Sequence, residues 1–259
     1  MDWTVNRSTQ PTLMIHSMRR EFLDLPLGRY RLSFDDGLFS QYYYFPCLAH
    51  LTNDKIFFLA TSMIAEGPAR PWFQGEHLPF VKSPRYMLEA VSRSNLEHFM
   101  TTDEAAFLKA QSTVEIGAHS HFHDVTLTDY LPKKPNSQWK RDRLRSFPTH
   151  LTRALAIRSR LAYRGCTYHR GRVIRRTRAQ WLEFVKYDTE CCLRWFQDHL
   201  GFQPTAYCLP FNEYCDRLIE VLMGFGFTTF YNGRRKKNDT VIARIDIDKL
   251  LESQTVRHG

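Results

Sequence analysis

No run of about 18 consecutive apolar residues occurs in the chain, so nothing in it reads as a membrane-spanning helix. Cysteine is scarce, six among 259 residues: Cys191 and Cys192 are adjacent, Cys208 and Cys215 lie seven apart, and there is no C-x-x-C. Such spacing excludes a disulfide scaffold and predicts reduced, mostly structural thiols. There is no internal repeat and no low-complexity tract. Met1-Asp2-Trp3-Thr4 does not begin a basic start followed by an apolar run, so no secretory signal is read and a cytoplasmic location is expected. Acid is nearly absent from one segment: between Lys133 and Arg178 stand fifteen Lys and Arg against the single acid Asp142.

What is present suffices for a full core. With 43% apolar residues, the length fits one α/β domain of barrel size or two small domains. The net charge of +9 concentrates in the basic segment, which attracts phosphates, nucleic acid or an acidic membrane face, or is simply a solvated surface. Nucleic acid is disfavoured because no aromatic residues are interleaved as stacking platforms and no nucleic-acid motif occurs.

Arg29 to Phe34 alternates like a strand and ends at the turn Asp35-Asp36-Gly37. An aromatic-rich helix over 39–51 and a buried strand over Lys55 to Ala60 complete a βαβ unit, which favours a parallel sheet. Prolines 68, 71, 79 and 84 break up an insertion over about 62–100, with one helix near 85–91. Thr101 and Glu104 form a capping box. A strand follows over Thr113 to Gly117, then a second, basic and partly helical insertion over about 130–178. The helix predicted over Arg178 to Leu200 stops at Gly201, with Trp181, Leu182, Val185, Cys192 and Trp195 as its buried stripe. Thr205 to Leu209 is a strand, Asn212 is expected to cap a helix over 213–223, and strands follow over Phe227 to Tyr231 and Val241 to Ile245. The chain is read as a single domain, 1–259, carrying the two insertions.

In parallel α/β folds the C-terminal ends of strands share one rim. Asp35-Asp36, His119 to His123 and Pro210 to Asn212 all follow strands. One Asp with two His four residues apart is a donor set suited to zinc or a similar divalent ion, and the neighbouring Asp can serve as a base toward water. Alone, the Asp pair also reads as an Asx-turn or helix cap, and the histidines as a surface loop. Their joint occurrence, each after a predicted strand, favours metal-assisted hydrolysis. Asp124 is a candidate to orient a histidine ring.

Phe34-Asp35-Asp36-Gly37 resembles the first motif of the polysaccharide deacetylases, the nodulation-protein-B-like carbohydrate esterases. Glu115 to His123 resembles their second motif, and Tyr207-Cys208-Leu209-Pro210-Phe211 more weakly their third. The resemblance covers about Arg29 to Ile247 apart from the insertions. It implies an irregular (β/α)7 barrel in which Asp35 is the general base, Asp36, His119 and His123 hold Zn²⁺ or another divalent transition metal, and the Phe211 N–H helps to form an oxyanion hole. Tyr207, Pro210, Asn212 and Arg244 are expected at the substrate. Two departures stand out. Cys208 occupies the place of an Arg that normally orients the base, and the late Leu-x-His that supplies the acid is missing; His121 is a candidate stand-in. The implied activity is removal of an acetyl or formyl group from a sugar in the biosynthesis of cell-surface polysaccharide or lipopolysaccharide O-antigen, on an N-acylated sugar or glycan, phosphate- or lipid-linked forms included, with peripheral membrane contact through the basic insertion. The alternative is a catalytically impaired, carbohydrate-binding relative.

Overall fold

Seven parallel strands close into a ring. They are β1 (Thr12–Ile15), β2 (Arg31–Phe34), β3 (Lys55–Leu59), β4 (Val114–Ala118), β9 (Ala206–Cys208), β10 (Thr229–Asn232) and β11 (Val241–Asp246), in the spatial order β1-β11-β10-β9-β4-β3-β2. Four more strands, β5 (Val125–Leu127), β6 (Ile157–Ser159), β7 (Cys166–His169) and β8 (Arg172–Arg175), form a separate antiparallel sheet in the order β6-β5-β7-β8. This computed structural model describes residues 10–233 and 241–255. His258 lies outside them.

Among the described residues ten α-helices accompany the strands: α1 (Arg20–Leu23), α2 (Phe39–Tyr43), α3 (Phe45–Leu48), α4 (Ser83–Arg93), α5 (Thr102–Lys109), α6 (Gln138–Arg143), α7 (Thr149–Ala154), α8 (Arg178–Leu200), α9 (Asp216–Gly224) and α10 (Ile247–Thr255). None of the described helices is long and apolar enough to cross a membrane. All six cysteines are free thiols, as their spacing predicts.

The ring closes where β1 pairs with both β2 and β11, setting Thr12 beside Arg31 on one side and Arg244 on the other. The barrel interior is narrow and filled by Ile56, Phe58, Ala206, Cys208 and Tyr231. Gly117 permits this packing, since a Cβ there would stand 2.6 Å from the Phe58 ring and 3.0 Å from the Ala206 carbonyl. The larger apolar layer lies outside, between strands and helices, and includes Leu13, Phe34, Phe57, Phe196 and Leu218.

Helix α8 matches its expected bounds. Thr177 and Gln180 form a capping box at its start, and Gly201 ends it with φ 67°. Its buried stripe runs through Trp181, Val185, Cys192, Phe196 and Leu200, while Leu182 and Trp195 are only half-buried. The capping box of Thr101 and Glu104 is present at α5. The single helix predicted over 39–51 divides into α2 and α3, because Pro46 has no N–H to donate and restricts the residue before it. Within the insertion expected to be partly helical, residues 149–163 yield only α7, followed by strand β6.

The two insertions meet over one end of the barrel. Tyr86 and Met87 of α4 share a buried cluster with Trp139 of α6, Leu144 and Phe147, and the Ser92 hydroxyl donates to Asp142 at 3.0 Å.

Candidate functional site

The turn after β2 brings two adjacent carboxylates to one rim. Residues alternate across a strand, so neighbouring side chains share a site only if the chain leaves β geometry. Asp36 (φ 74°) and Gly37 (φ 73°) both do so in the left-handed region. At Gly37 a Cβ would lie 2.8 Å from Ile64. Gln41 of α2 fixes the turn by donating to the Asp35 carbonyl at 2.6 Å.

His119 leaves the end of β4, and the next residues form a tight turn with Ser120 (φ 68°) and His123 (φ 46°) in the left-handed region. The Ser120 hydroxyl accepts from the His123 N–H at 2.9 Å. The buried Asp188 carboxylate of α8 accepts the N–H groups of His121 (3.1 Å) and Phe122 (2.9 Å), clamping the turn from outside. Burial pushes the Asp188 carboxyl up to about 6, against those two hydrogen bonds.

Asp36 Oδ1 lies 3.4 Å from His119 Nε2 and 3.6 Å from His123 Nε2, and the three donor atoms all fall within 4.8 Å of one another. Four tetrahedral ligands at zinc bond lengths near 2.0–2.1 Å stand about 3.3 Å apart, so the spacing fits such an ion. The ring chemistry fits as well. His119 Nδ1 donates to the Cys208 carbonyl at 2.9 Å, which turns Nε2 toward Asp36, where it would give its lone pair to a bound ion. Burial alone would raise Asp36; hydrogen bonding to His119 and the charge of His16 override it and hold the carboxyl far below the usual range. His123 is pushed down to about 3, chiefly by burial, so it stays neutral. A second group, Asp35, His119 and Cys208, also lies close enough to hold an ion. It suits one less well, because Asp35 is fully engaged elsewhere and burial raises the Cys208 thiol.

Asp35 is locked by an arginine from the far end of the chain. Arg244 of β11 donates through Nη1 to Oδ1 at 2.6 Å and through Nη2 to Oδ2 at 2.8 Å, with neither side chain more than 3% exposed. The same guanidinium reaches Ser33 Oγ at 3.2 Å and Cys208 Sγ at 3.1 Å, and the Cys208 thiol donates to Asp35 Oδ1 at 3.5 Å. Burial raises the Asp35 carboxyl, but Arg244 and His119 more than offset it, so the group is held ionised. The arginine missing from position 208 is therefore supplied from position 244, with the small Cys208 leaving room for it. Arg244 was expected at the substrate. Sealed beneath Asp35, it has no surface to offer one.

A cavity of about 210 Å³ opens above these groups. His16, Asp35 and Asp36 line it from the barrel side, Ser83, Pro84 and Met87 from α4, and Trp139 and Lys140 from α6. The Ser83 hydroxyl donates to Asp36 Oδ2 at 3.0 Å. Phe211 (φ 61°) stacks its ring 4.5 Å from that of His123 and 5.7 Å from that of Trp139, with Lys140 Nζ 4.2 Å above it. Among the described residues its N–H has no hydrogen-bond acceptor.

The other expected residues divide. Asn212 lines the cavity, but its amide accepts from the Gly233 N–H at 2.5 Å, and the cap of α9 is Cys215. Pro210 is buried beneath the turn and does not line the cavity. Tyr207 points outward from β9, where its ring meets Phe227 at 4.9 Å in the outer apolar layer, so it is not brought to the site. His121 turns away and pairs with Thr61 Oγ1 at 2.8 Å. Asp124 binds Arg143 and Arg160 and touches no candidate metal ligand.

The sequence reading missed His16. It follows β1 directly, lines the cavity, and sets Nε2 3.8 Å from Asp35 Oδ2 with a side chain 39% exposed. Its signal was the short apolar segment Thr12 to Ile15 ending in a histidine, the same strand-then-chemistry pattern that marked Asp35 and His119.

Comparison with solved structures agrees on the fold. The chain superposes on a de-N-acetylase from Aggregatibacter actinomycetemcomitans with a TM-score of 0.58 and 15% identity, covering 91% of this chain and 94% of that one. The deacetylase domain of BpsB from Bordetella bronchiseptica gives 0.58 and 16%, covering 90% and 94%. IcaB from Ammonifex degensii gives 0.55 and 13%, covering 95% and 96%. The chain thus has the (β/α)7 barrel of the polysaccharide deacetylases. No family model and no curated protein sequence matches it.

Proposed function

We propose that this protein is a divergent member of the polysaccharide deacetylases, a metal-dependent amide hydrolase that removes an N-acetyl or N-formyl group from a sugar. The reading rests above all on one observation: three donor atoms, Asp36 Oδ1, His119 Nε2 and His123 Nε2, converge beside an ionised carboxylate paired with a buried arginine. The structural neighbours, a de-N-acetylase and a deacetylase domain, point the same way.

Asp36, His119 and His123 would hold Zn²⁺ or a similar ion, which when bound polarises an acyl carbonyl and acidifies water. Asp35 takes the proton from the attacking water. Arg244 keeps that carboxylate charged and fixes its plane, so it is in the accepting form near neutral pH. The N–H of Phe211, unengaged and at the cavity wall, donates to the oxygen that gains charge in the tetrahedral intermediate. His16, 3.8 Å from Asp35 at the cavity wall, hands a proton to the departing amine. These two placements support catalysis over the impaired, sugar-binding alternative, since Arg244 and His16 fill the roles that Cys208 and the missing late histidine left open. Lys140 at the mouth favours a glycan carrying a negative charge, consistent with a phosphate-linked or acidic precursor in surface polysaccharide assembly.

The test is release of acetate or formate from a panel of N-acylated amino sugars by zinc- or cobalt-loaded protein. Turnover should vanish in Asp35→Asn, and in His16→Ala it should fall by about 10²–10⁴-fold. Absence of turnover across the panel, in protein carrying one bound metal per chain, would refute the hydrolase assignment.

A further inference from the structure

A second cavity, of about 330 Å³, lies where the small sheet meets the starts of α8 and α9, and it shares no lining residue with the Asp36 cavity. Its floor is apolar: Ala162, Cys166 and Trp181 are each no more than 8% exposed. The rings of Tyr130 and Tyr163, 6.3 Å apart, stand on one side. Four arginines wall it: Arg164 from the loop before β7, Arg175 at the end of β8, Arg178 at the first position of α8 and Arg217 in the first turn of α9. The only acid in the lining is Asp129, which leaves three positive charges in excess.

The existing pairings do not neutralise that excess. Asp129 meets Arg175 at 3.6 Å with both side chains more than half exposed, a loose surface contact. Arg217 is shared with Glu220 on its own helix at 2.7 Å. Among the described residues no carboxylate lies within ion-pair distance of Arg164 or Arg178. Arg176, in the middle of this run, turns into the sheet and donates to Thr126 Oγ1 at 2.6 Å, so it is structural. Cations crowded at one concavity repel each other until an anion occupies it. All four are arginine and none is lysine; guanidinium forks match phosphate oxygens two at a time and also stack on aromatic rings.

We propose that this cavity binds an organic diphosphate, its phosphates held by Arg164, Arg175 and Arg178 and its flat or apolar body on the Trp181–Ala162–Cys166 floor. The volume falls at the low end of pockets for small ligands, about 300–1,000 Å³. A nucleoside diphosphate and an isoprenyl diphosphate share this chemistry. The site does not depend on the hydrolase assignment.

Calorimetric titration of the full-length protein with uridine diphosphate, farnesyl diphosphate and inorganic diphosphate tests it. One ester should bind at least about tenfold more tightly than inorganic diphosphate, and Arg164→Glu/Arg178→Glu should weaken that ester by about tenfold or more. The tighter ester identifies the source, nucleotide or lipid. Arg172→Glu, on the same sheet but outside the cavity, should leave the affinity within about twofold, as expected for a charge that only adds to the general field. The proposal is overturned if neither ester binds at about 1 mM, if inorganic diphosphate binds as tightly as both, if the double variant binds like the parent, or if Arg172→Glu weakens binding as much as the double variant does.

Discussion

Replacing Arg244 by Met puts the central ion pair to a direct test. The change removes both hydrogen bonds to Asp35, at 2.6 and 2.8 Å, from a site where neither side chain is more than 3% exposed. Breaking a buried pair by deleting one partner costs about 3–5 kcal/mol, because the remaining charge is stranded. For a chain of this size each kcal/mol lowers Tm by about 2–4 °C, so the variant should melt about 6–20 °C below the parent. The loss must also depend on pH. In the parent, Asp35 is held below its unfolded value, so its contribution is present above that value and lost as pH falls through the folded one. In the variant the largest counterweight to burial is gone, and the carboxyl rises. The defect is then small where Asp35 is protonated and grows as pH rises, larger near pH 8 than near pH 5 by about 2 kcal/mol or more. Urea denaturation at both pH values measures it, and Asp35→Asn/Arg244→Met completes a double-mutant cycle. A loss that is equal at the two pH values, or a coupling energy near zero, would show that the pair does not organise this site.

Other expectations follow from separate features. Dialysis against a chelator and elemental analysis should show one divalent ion per chain in the parent and none in Asp36→Asn or His123→Ala; full retention in either variant would remove that residue from the ligand set. Asp188, pushed up to about 6 by burial, binds a proton more tightly folded than unfolded, so its ionisation costs roughly 3 kcal/mol as pH rises from about 4 to about 6. Asp188→Asn should therefore flatten the fall in stability across that interval, and identical pH slopes for the two proteins would refute this. Gly165→Ala places a Cβ 1.9 Å from Thr126 Oγ1 at a φ of 60°, so it should cost about 3 kcal/mol or more, seen as loss of soluble protein or of cooperative melting; parent-like melting would contradict the packing of the small sheet. Lys140→Met should raise KM for an anionic glycan by about tenfold while sparing a neutral one, as expected for loss of one charge-assisted contact; equal effects on both would mean that Lys140 only supports the stack on Phe211.

The barrel was legible wherever strands carry a pattern. The alternation from Arg29, the apolar run from Lys55 and the segments before His119 and Pro210 all became staves, because buried parallel strands are short apolar runs bounded by turns. Strand β1 escaped notice. Thr12 to Ile15 is only four residues long, too short an apolar run to stand out. The small sheet was hidden differently: β8 is exposed along its whole length and basic, so composition read as surface insertion what is in fact a paired hairpin. Within the site, the convergence of Asp36, His119 and His123 was legible because Asp36 follows β2 and both histidines follow β4. The partner of Asp35 could not, since nothing local to Arg244 records that ring closure brings β11 next to β1 and β2 to its other side.

That closure has a consequence for a growing or truncated polypeptide. All three donor residues have been made by position 123, while the guanidinium that restrains Asp35 arrives 121 residues later, on the last stave. A chain stopped before Val241 would carry the whole ligand trio around an open, edge-exposed sheet, with a buried acid no cation yet answers. It is the meeting of the two extremities of the barrel that answers this acid.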